Sequence, residues 1–288
     1  MYTISNDILQ ATILTKGAEL SSLILLATGD DYMWPAAEAW PKHSPVLFPI
    51  IGTLKNNTYY HNNNAYQLPR HGFARDKNFT VIEQLTDRIS LQLTDDESTH
   101  IVYPFAFKFI IVYSLVNNAL HVTYHVQNTG NDVLYFSVGG HPAFKLPIAA
   151  NTNYNDYFLQ FNQKETAGRW PISPDGLIEN TPLPLLDNTS KLPLTKELFA
   201  KDALVFKHLQ SNALTLASDK TNKSLTFNFP GFNYLGLWAA KGADFICIEP
   251  WCGIADRVDA NQQLSDKEGI ETLQPQGSFQ KTWTVALQ

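Results

Sequence analysis

Cysteine is nearly missing from this 288-residue chain: Cys247 and Cys252 are its only two, with no Cys-x-x-C pair between them. A disulfide framework and a structural zinc site are thereby excluded, and both thiols read as reduced core or near-core residues. Arginine is also scarce, with five residues, and lysine and arginine form no block. With 21 basic against 27 acidic residues the formal charge is −6. That balance argues against nucleic acid or an anionic membrane as the main partner. The greasiest region, Ile101 to Val116, is broken by Pro104 and Lys108 and is too short to span a bilayer. Met1 to Asp7 has no basic region leading into an apolar stretch, so nothing resembles a signal peptide and a cytoplasmic protein is expected. No phosphate-cradling glycine loop precedes a helix, which removes the nucleotide enzymes built on one. Ser137 lacks the Gly-x-Ser-x-Gly turn, so a serine hydrolase is weakly supported.

What is present is the composition of a soluble globular protein, 44% apolar and 17% charged, with ample length for a large core. Alternation with period two recurs throughout. In Ala119 to Gln127, Leu120, Val122, Tyr124 and Val126 face one way and His121, Thr123, His125 and Gln127 the other, which describes a half-buried strand. Ile89 to Leu93, Ser224 to Phe229 and Thr282 to Val285 repeat the pattern in β-branched and aromatic residues. Tyr59-Tyr60 and Ala65-Tyr66 flank an Asn-rich segment suited to a hairpin turn. Only Thr195 to Ala203 offers a helical run. Pro171 to Pro193 carries apolar residues throughout and reads as a long ordered loop, not a linker. The expected fold is all-β, with antiparallel sheets in a sandwich, as a single domain over residues 1–288.

Polar stretches interrupt this pattern, and they contain the candidate chemistry. Arg70-His71-Gly72-Phe73-Ala74-Arg75-Asp76 holds two of the five arginines and a histidine; a ligand clamp competes there with an ordinary turn after Pro69. Val133 to Val138 runs into Gly139-Gly140 and then His141, presenting a histidine at a strand end where backbone could approach a ligand closely. Phe245 to Ile248 has the apolar run of a buried strand, followed by Glu249, Pro250 and Trp251. Desolvation at that position would raise a carboxyl pKa toward that of a general base, with a structural salt bridge as the alternative. The fourth stretch, Phe199 to Ala203, contains Asp202. His121 and His125 share a strand face at a spacing of about 13 Å, too far to share an ion, so no metal is indicated. Glu249 and Asp256 form a carboxylate pair that leaves a glycosidase open, since sequence does not give their separation.

Taken in order, Pro45-Val46-Leu47-Phe48-Pro49-Ile50-Ile51-Gly52, His71-Gly72-Phe73-Ala74-Arg75, Gly140-His141-Pro142-Ala143-Phe144 and Glu249-Pro250-Trp251-Cys252-Gly253 resemble the aldose 1-epimerase (mutarotase) family, particularly its LacX-like branch. The likeness covers nearly the whole chain. It implies a large β-sandwich of the galactose mutarotase type, interconverting the α and β anomers of a hexose or hexose phosphate without a cofactor. By matching motif, Glu249 is the general base at the C1 hydroxyl and His141 the general acid at the ring oxygen. His71 orients the ring, Arg75 lines the pocket and Asp202 contacts the sugar. Attraction between the Glu249 carboxylate and the His141 imidazolium is expected to lower the one pKa and raise the other. Many relatives have an arginine where this chain reads Gly52-Thr53-Leu54-Lys55-Asn56. That departure leaves the sugar open, with Lys55, Arg70 or Arg75 as candidates to clamp a phosphate. A non-catalytic sugar-binding or sensing protein on the same fold is the alternative function.

Overall fold

Alternation becomes sheet almost everywhere in the computed structural model, which describes residues 1–288. Nine strands form the largest sheet, in the spatial order Leu183–Pro193, Tyr157–Arg169, Ala213–Ser218, Thr221–Asn228, Ser278–Leu287, Ala119–Asn128, Phe107–Val116, Arg88–Thr94 and Thr80–Gln84. Neighbours are antiparallel throughout. Ala119–Asn128 alternates in burial as its sequence predicts: Leu120, Val122, Tyr124 and Val126 are buried and the residues between them half-buried. Opposite it, Trp283 pairs in register with Val122.

A second sheet holds Glu249 and leads into His141. Its order is Leu204–Lys207, Tyr234–Trp238, Phe245–Cys252, Val138–Gly140 and Val46–Leu47, with Ala143–Lys145 also pairing on Phe245–Cys252. Aromatic contacts join the two sheets face to face: Phe48 stacks on Phe109 with ring centroids 4.5 Å apart, and Phe144 meets Phe227 edge-on at 6.1 Å. One apolar core of 69 buried residues runs from Ile4 to Leu287, the face-to-face burial that defines an all-β sandwich.

Four local expectations differ from what is found. Phe245 to Ile248 does not stop before Glu249; the strand continues through Pro250 to Cys252, every residue buried. Pro250 lies opposite Leu235, and its missing donor is tolerated where the ladder leaves that position without a bond to give. The run Val133 to Val138 divides between sheets at Ser137: Leu134–Phe136 pairs with Glu271–Leu273, and Val138–Gly140 with Cys252, Trp251 and Val46–Leu47. In place of a helix, Thr195 to Ala203 contains one 3₁₀ turn, Lys196–Phe199; so short a helix has little stability of its own, and burial of Phe199 sets its shape. The end of the Pro171 to Pro193 segment is a strand, Leu183–Pro193. It lies at the edge of the large sheet with shifts in register along its length, which is how Pro184 and Pro193 fit a sheet.

Candidate active site

Glu249 projects from the middle of the second sheet, directly across from Gly236. That glycine is there for packing: a Cβ on it would come within 2.5 Å of the Trp251 ring. Gly139, opposite Trp251 on the other side, would likewise meet Pro250 O and Trp251 Cδ1 at 2.8 Å. Trp251 therefore lies between two bare strand positions. Gly140 has a similar cause, since a Cβ would reach 2.7 Å from the Tyr124 hydroxyl, which accepts a 2.9 Å hydrogen bond from Trp283 Nε1. The paired glycines thus let protein atoms approach, not a ligand as their position before His141 suggests. Their effect is to seat the next residue: His141 N donates to Pro45 O at 3.1 Å, and His141 Nε2 lies 3.3 Å from Glu249 Oε2.

Both side chains are deep, Glu249 with 2% and His141 with 12% of its side chain exposed. Trp40 stacks on the His141 ring at 5.0 Å, while Trp238 and His71 meet it edge-on at 5.6 and 5.8 Å. Burial pushes the Glu249 carboxyl well above the usual range; Arg70 opposes that rise and Asp202 adds to it. Burial drives His141 down to about 3, with Arg70, Arg75 and Lys42 contributing in the same direction. Desolvation, not mutual attraction, therefore governs the pair before a ligand binds, contrary to the pKa expectation from sequence. A low-dielectric pocket penalises both charged forms and leaves one proton to share across 3.3 Å.

His71 arrives from another direction, on a loop with left-handed backbone at φ 69°, followed by Gly72 at φ 71°. Gly72 has no alternative, because a Cβ there would lie 2.3 Å from Phe48 O. Two reciprocal bonds hold His71: its N–H donates to Gly52 O at 2.9 Å, and its Nδ1 accepts from Gly52 N–H at 3.1 Å. The second bond places the ring proton on Nε2, making that nitrogen a donor. Arg70 Nε, 3.3 Å from Nε2, competes poorly for an atom that already bears hydrogen. Burial holds His71 well below the ordinary imidazole value, and the neighbouring His141, Arg70 and Arg75 reinforce the shift. Arg75 donates from Nη2 to Arg70 O at 2.7 Å.

A cavity of about 490 Å³ opens above these groups, and His71, Arg75, His141, Asp202 and Glu249 all line it. Arg75 Nε, His141 Nδ1 and Trp251 Nε1 are buried around it without a hydrogen bond from the protein, and Glu249 Oε2 has only its contact with His141. Donors and acceptors converging among Trp40, Trp238 and Trp251 suit a polyhydroxylated ring. No local sequence signal marks Trp40 and Trp238, which only the fold turns inward to line the cavity.

Two other candidates lie elsewhere. Lys55 Nζ donates to Ala260 O at 3.3 Å, and Lys55 is not part of the cavity wall. Asp256 is bound on both oxygens, by Lys267 Nζ at 2.7 Å and Lys55 N–H at 2.9 Å; with both oxygens engaged outside the cavity, it is not a second catalytic carboxylate of a glycosidase. As for metal ligands, His141, Cys247 and Glu249 offer donor atoms within 4.8 Å of one another. Burial, reinforced by Glu249, raises the Cys247 thiol well above its usual range, which opposes the thiolate a metal requires. His121 and His125 lie along the Ala119–Asn128 strand.

Comparison with known proteins agrees with this architecture. LacX of Lactococcus lactis subsp. lactis, the chromosomal protein, is 30% identical over 295 residues, covering 99% of this chain and 98% of that protein. A galactose mutarotase related enzyme from Lactobacillus acidophilus has a solved structure that superposes with a TM-score of 0.95 at 35% identity, covering 100% of this chain and 97% of that one. A galactose mutarotase-like protein from Lactobacillus casei ATCC 334 gives 0.94 at 29% identity, with 100% of both chains covered. The family model described as aldose 1-epimerase matches residues 1–271. With the family model matched over residues 1–271 and a relative 30% identical across 99% of the chain, the chain belongs to the aldose 1-epimerase family.

Proposed function

We propose that the protein is a mutarotase, interconverting the α and β anomers of a hexose or hexose phosphate through the open-chain aldehyde. The observation that carries this is the separation of 3.3 Å between His141 Nε2 and Glu249 Oε2 at the cavity wall. An acid and a base so placed can reach two oxygens of one sugar, the hydroxyl oxygen O1 and the ring oxygen O5, which are bonded to the same carbon. Glu249 takes the O1 proton; the electrons released form the C1 carbonyl as the C1–O5 bond breaks, and O5 takes the proton of His141. Rotation about C1–C2 presents the other carbonyl face, and the reverse transfers restore both side chains. Atoms, electrons and protons balance, with no redox change for a cofactor to carry.

The sugar's own hydroxyls help set the starting state. By donating to the carboxylate they favour its ionised form in a pocket that otherwise resists it. His71 presents its Nε2–H to the ring, Arg75 offers its free Nε and Asp202 accepts from hydroxyls. Each proton transfer is worth about 10²- to 10⁴-fold. Freshly dissolved α-glucose, α-galactose and their 6-phosphates should reach anomeric equilibrium faster than in buffer, followed by polarimetry or anomer-resolved NMR. Glu249→Gln and His141→Asn should each lose about 10²-fold or more. Full activity in both variants would overturn these roles. Saturable binding with no rate enhancement for any of these sugars would identify a binding or sensing protein instead.

A further inference from the structure

Trp251 brings to the site a donor that the proton transfers do not use. It is buried, lines the cavity and carries an Nε1–H with no hydrogen bond from the protein, although a buried indole N–H ordinarily finds a partner. Trp251 and Glu249 stand two residues apart on the strand Phe245–Cys252 and therefore project from the same face of the sheet.

The glycines on either side show how the ring is laid. On one neighbouring strand Gly139 pairs with Trp251, and a Cβ there would lie 2.8 Å from the ring's Cδ1. On the other neighbouring strand Gly236 pairs with Glu249, and a Cβ there would meet Cζ2, Cη2 and Cε2 at 2.5, 2.6 and 3.1 Å. The indole thus crosses its own strand, leaning back from position 251 to the level of position 249. Nε1 is bonded to Cδ1 and Cε2, so it belongs to the edge laid between the two glycines, on the Glu249 side.

We propose that Trp251 is a positioning residue for Glu249: its Nε1–H donates to the carboxylate once the base is ionised and holds it in place against the sugar. The role rests on the mutarotase reading above. Bonds of this kind are often loose before substrate binds and tighten in the complex. Other titratable groups face the carboxyl, and none supplies the same thing. His141, at 3.3 Å, gives its proton away during the reaction. Cys247, two positions back on the same strand and within 4.8 Å, has a weakly donating thiol. Arg70 opposes the effect of burial on Glu249 through its charge, and Asp202 adds to that effect. The indole N–H neither titrates nor leaves, and it too acts on the carboxyl as a donor, against the effect of burial.

The test compares the full chain with its Trp251→Phe variant, which keeps an aromatic body and loses the N–H, by anomer-exchange NMR on glucose, galactose and their 6-phosphates. For the sugar turned over, kcat should fall about tenfold or more and KM should stay within about twofold. The basic limb of kcat/KM should move to higher pH, because the ionised base has lost a donor. A raised KM at unchanged kcat would place the N–H on the sugar, and a lower kcat with the basic limb unmoved would show a packing role; either overturns the proposal. A second readout needs neither turnover nor that variant. In ¹H–¹⁵N spectra the Trp251 indole resonance, assigned from its contacts with the Hα protons of Gly139 and Gly236, should move downfield as Glu249 ionises with rising pH, and Glu249→Gln should abolish the movement. A resonance that does not move, or moves equally in Glu249→Gln, overturns the proposal. If no sugar is anomerised, the mutarotase reading fails separately, and this titration still decides whether Trp251 serves Glu249.

Discussion

Burial acts on Glu249 and His141 in opposite directions, and each direction has a measurable consequence. A carboxyl whose pKa is raised by folding binds more protons folded than unfolded, so stability falls as pH climbs above the ordinary glutamate value. Glu249→Gln removes that ionisation. The variant should be more stable than the parent near pH 7, read as a higher Tm, with the gap closing toward pH 4. A parent that melts at the same temperature as the variant at pH 7 would count against it. His141 has the opposite sign: its depressed pKa makes folding less favourable as pH drops below the imidazole value. For activity, the pair must hold one proton. A second proton is resisted by the low value of His141, and loss of the last is resisted by the high value of Glu249. The kcat/KM profile should therefore be a broad bell, its acid limb well below the ordinary imidazole value of about 6.5; an acid limb centred on that value would refute the assignment.

Among the strands, the glycines near Glu249 and His141 are set by their neighbours, Gly139 and Gly236 by Trp251 within their own sheet and Gly140 by Tyr124 across the sandwich. Gly140→Ala should destabilise the protein by about 1–3 kcal/mol through overpacking, because the added Cβ would lie 2.7 Å from the Tyr124 hydroxyl. Tyr124→Phe removes that oxygen at the expense of an unpaired Trp283 Nε1. The double variant should recover part of the single loss, and denaturant melts of the four proteins would measure the coupling; strict additivity would show that Tyr124 is not the obstacle. This cause is not legible in sequence. Gly139-Gly140 can be read there as punctuation before a histidine, but Tyr124 and Trp251 belong to other strands, and only pairing brings them to the same place. The continuation of Phe245–Cys252 through Pro250 escapes local reading for the same reason, since whether a proline breaks a strand depends on what its neighbour needs from it.

Over the whole molecule, a chain of net charge −6 surrounds a cavity lined by Lys42, Arg70, Arg75, Lys201 and Lys241 against Asp202 and Glu249, and salt acts unequally on such an arrangement. If a hexose 6-phosphate is the substrate, its KM should rise severalfold as ionic strength passes about 0.1 M, where charges separated by roughly 10 Å become screened. The KM of a neutral hexose should stay flat; equal salt dependence for both would remove the electrostatic explanation. The all-β class, the hairpin Thr58–His61 with Asn64–Gln67 and the alternating strands were determined by the sequence alone, because side-chain periodicity and turn chemistry are local. So were the candidates Glu249, His141, His71, Arg75 and Asp202, whose motifs are contiguous. Their convergence on one cavity was decided by the tertiary structure, as were the two added tryptophans, the diversion of Asp256 into a buried bond with Lys267 and the proton preference of Glu249 and His141. Distance, burial and partner are properties of a place in the fold, and a residue acquires them only when segments far apart in the chain pack around it.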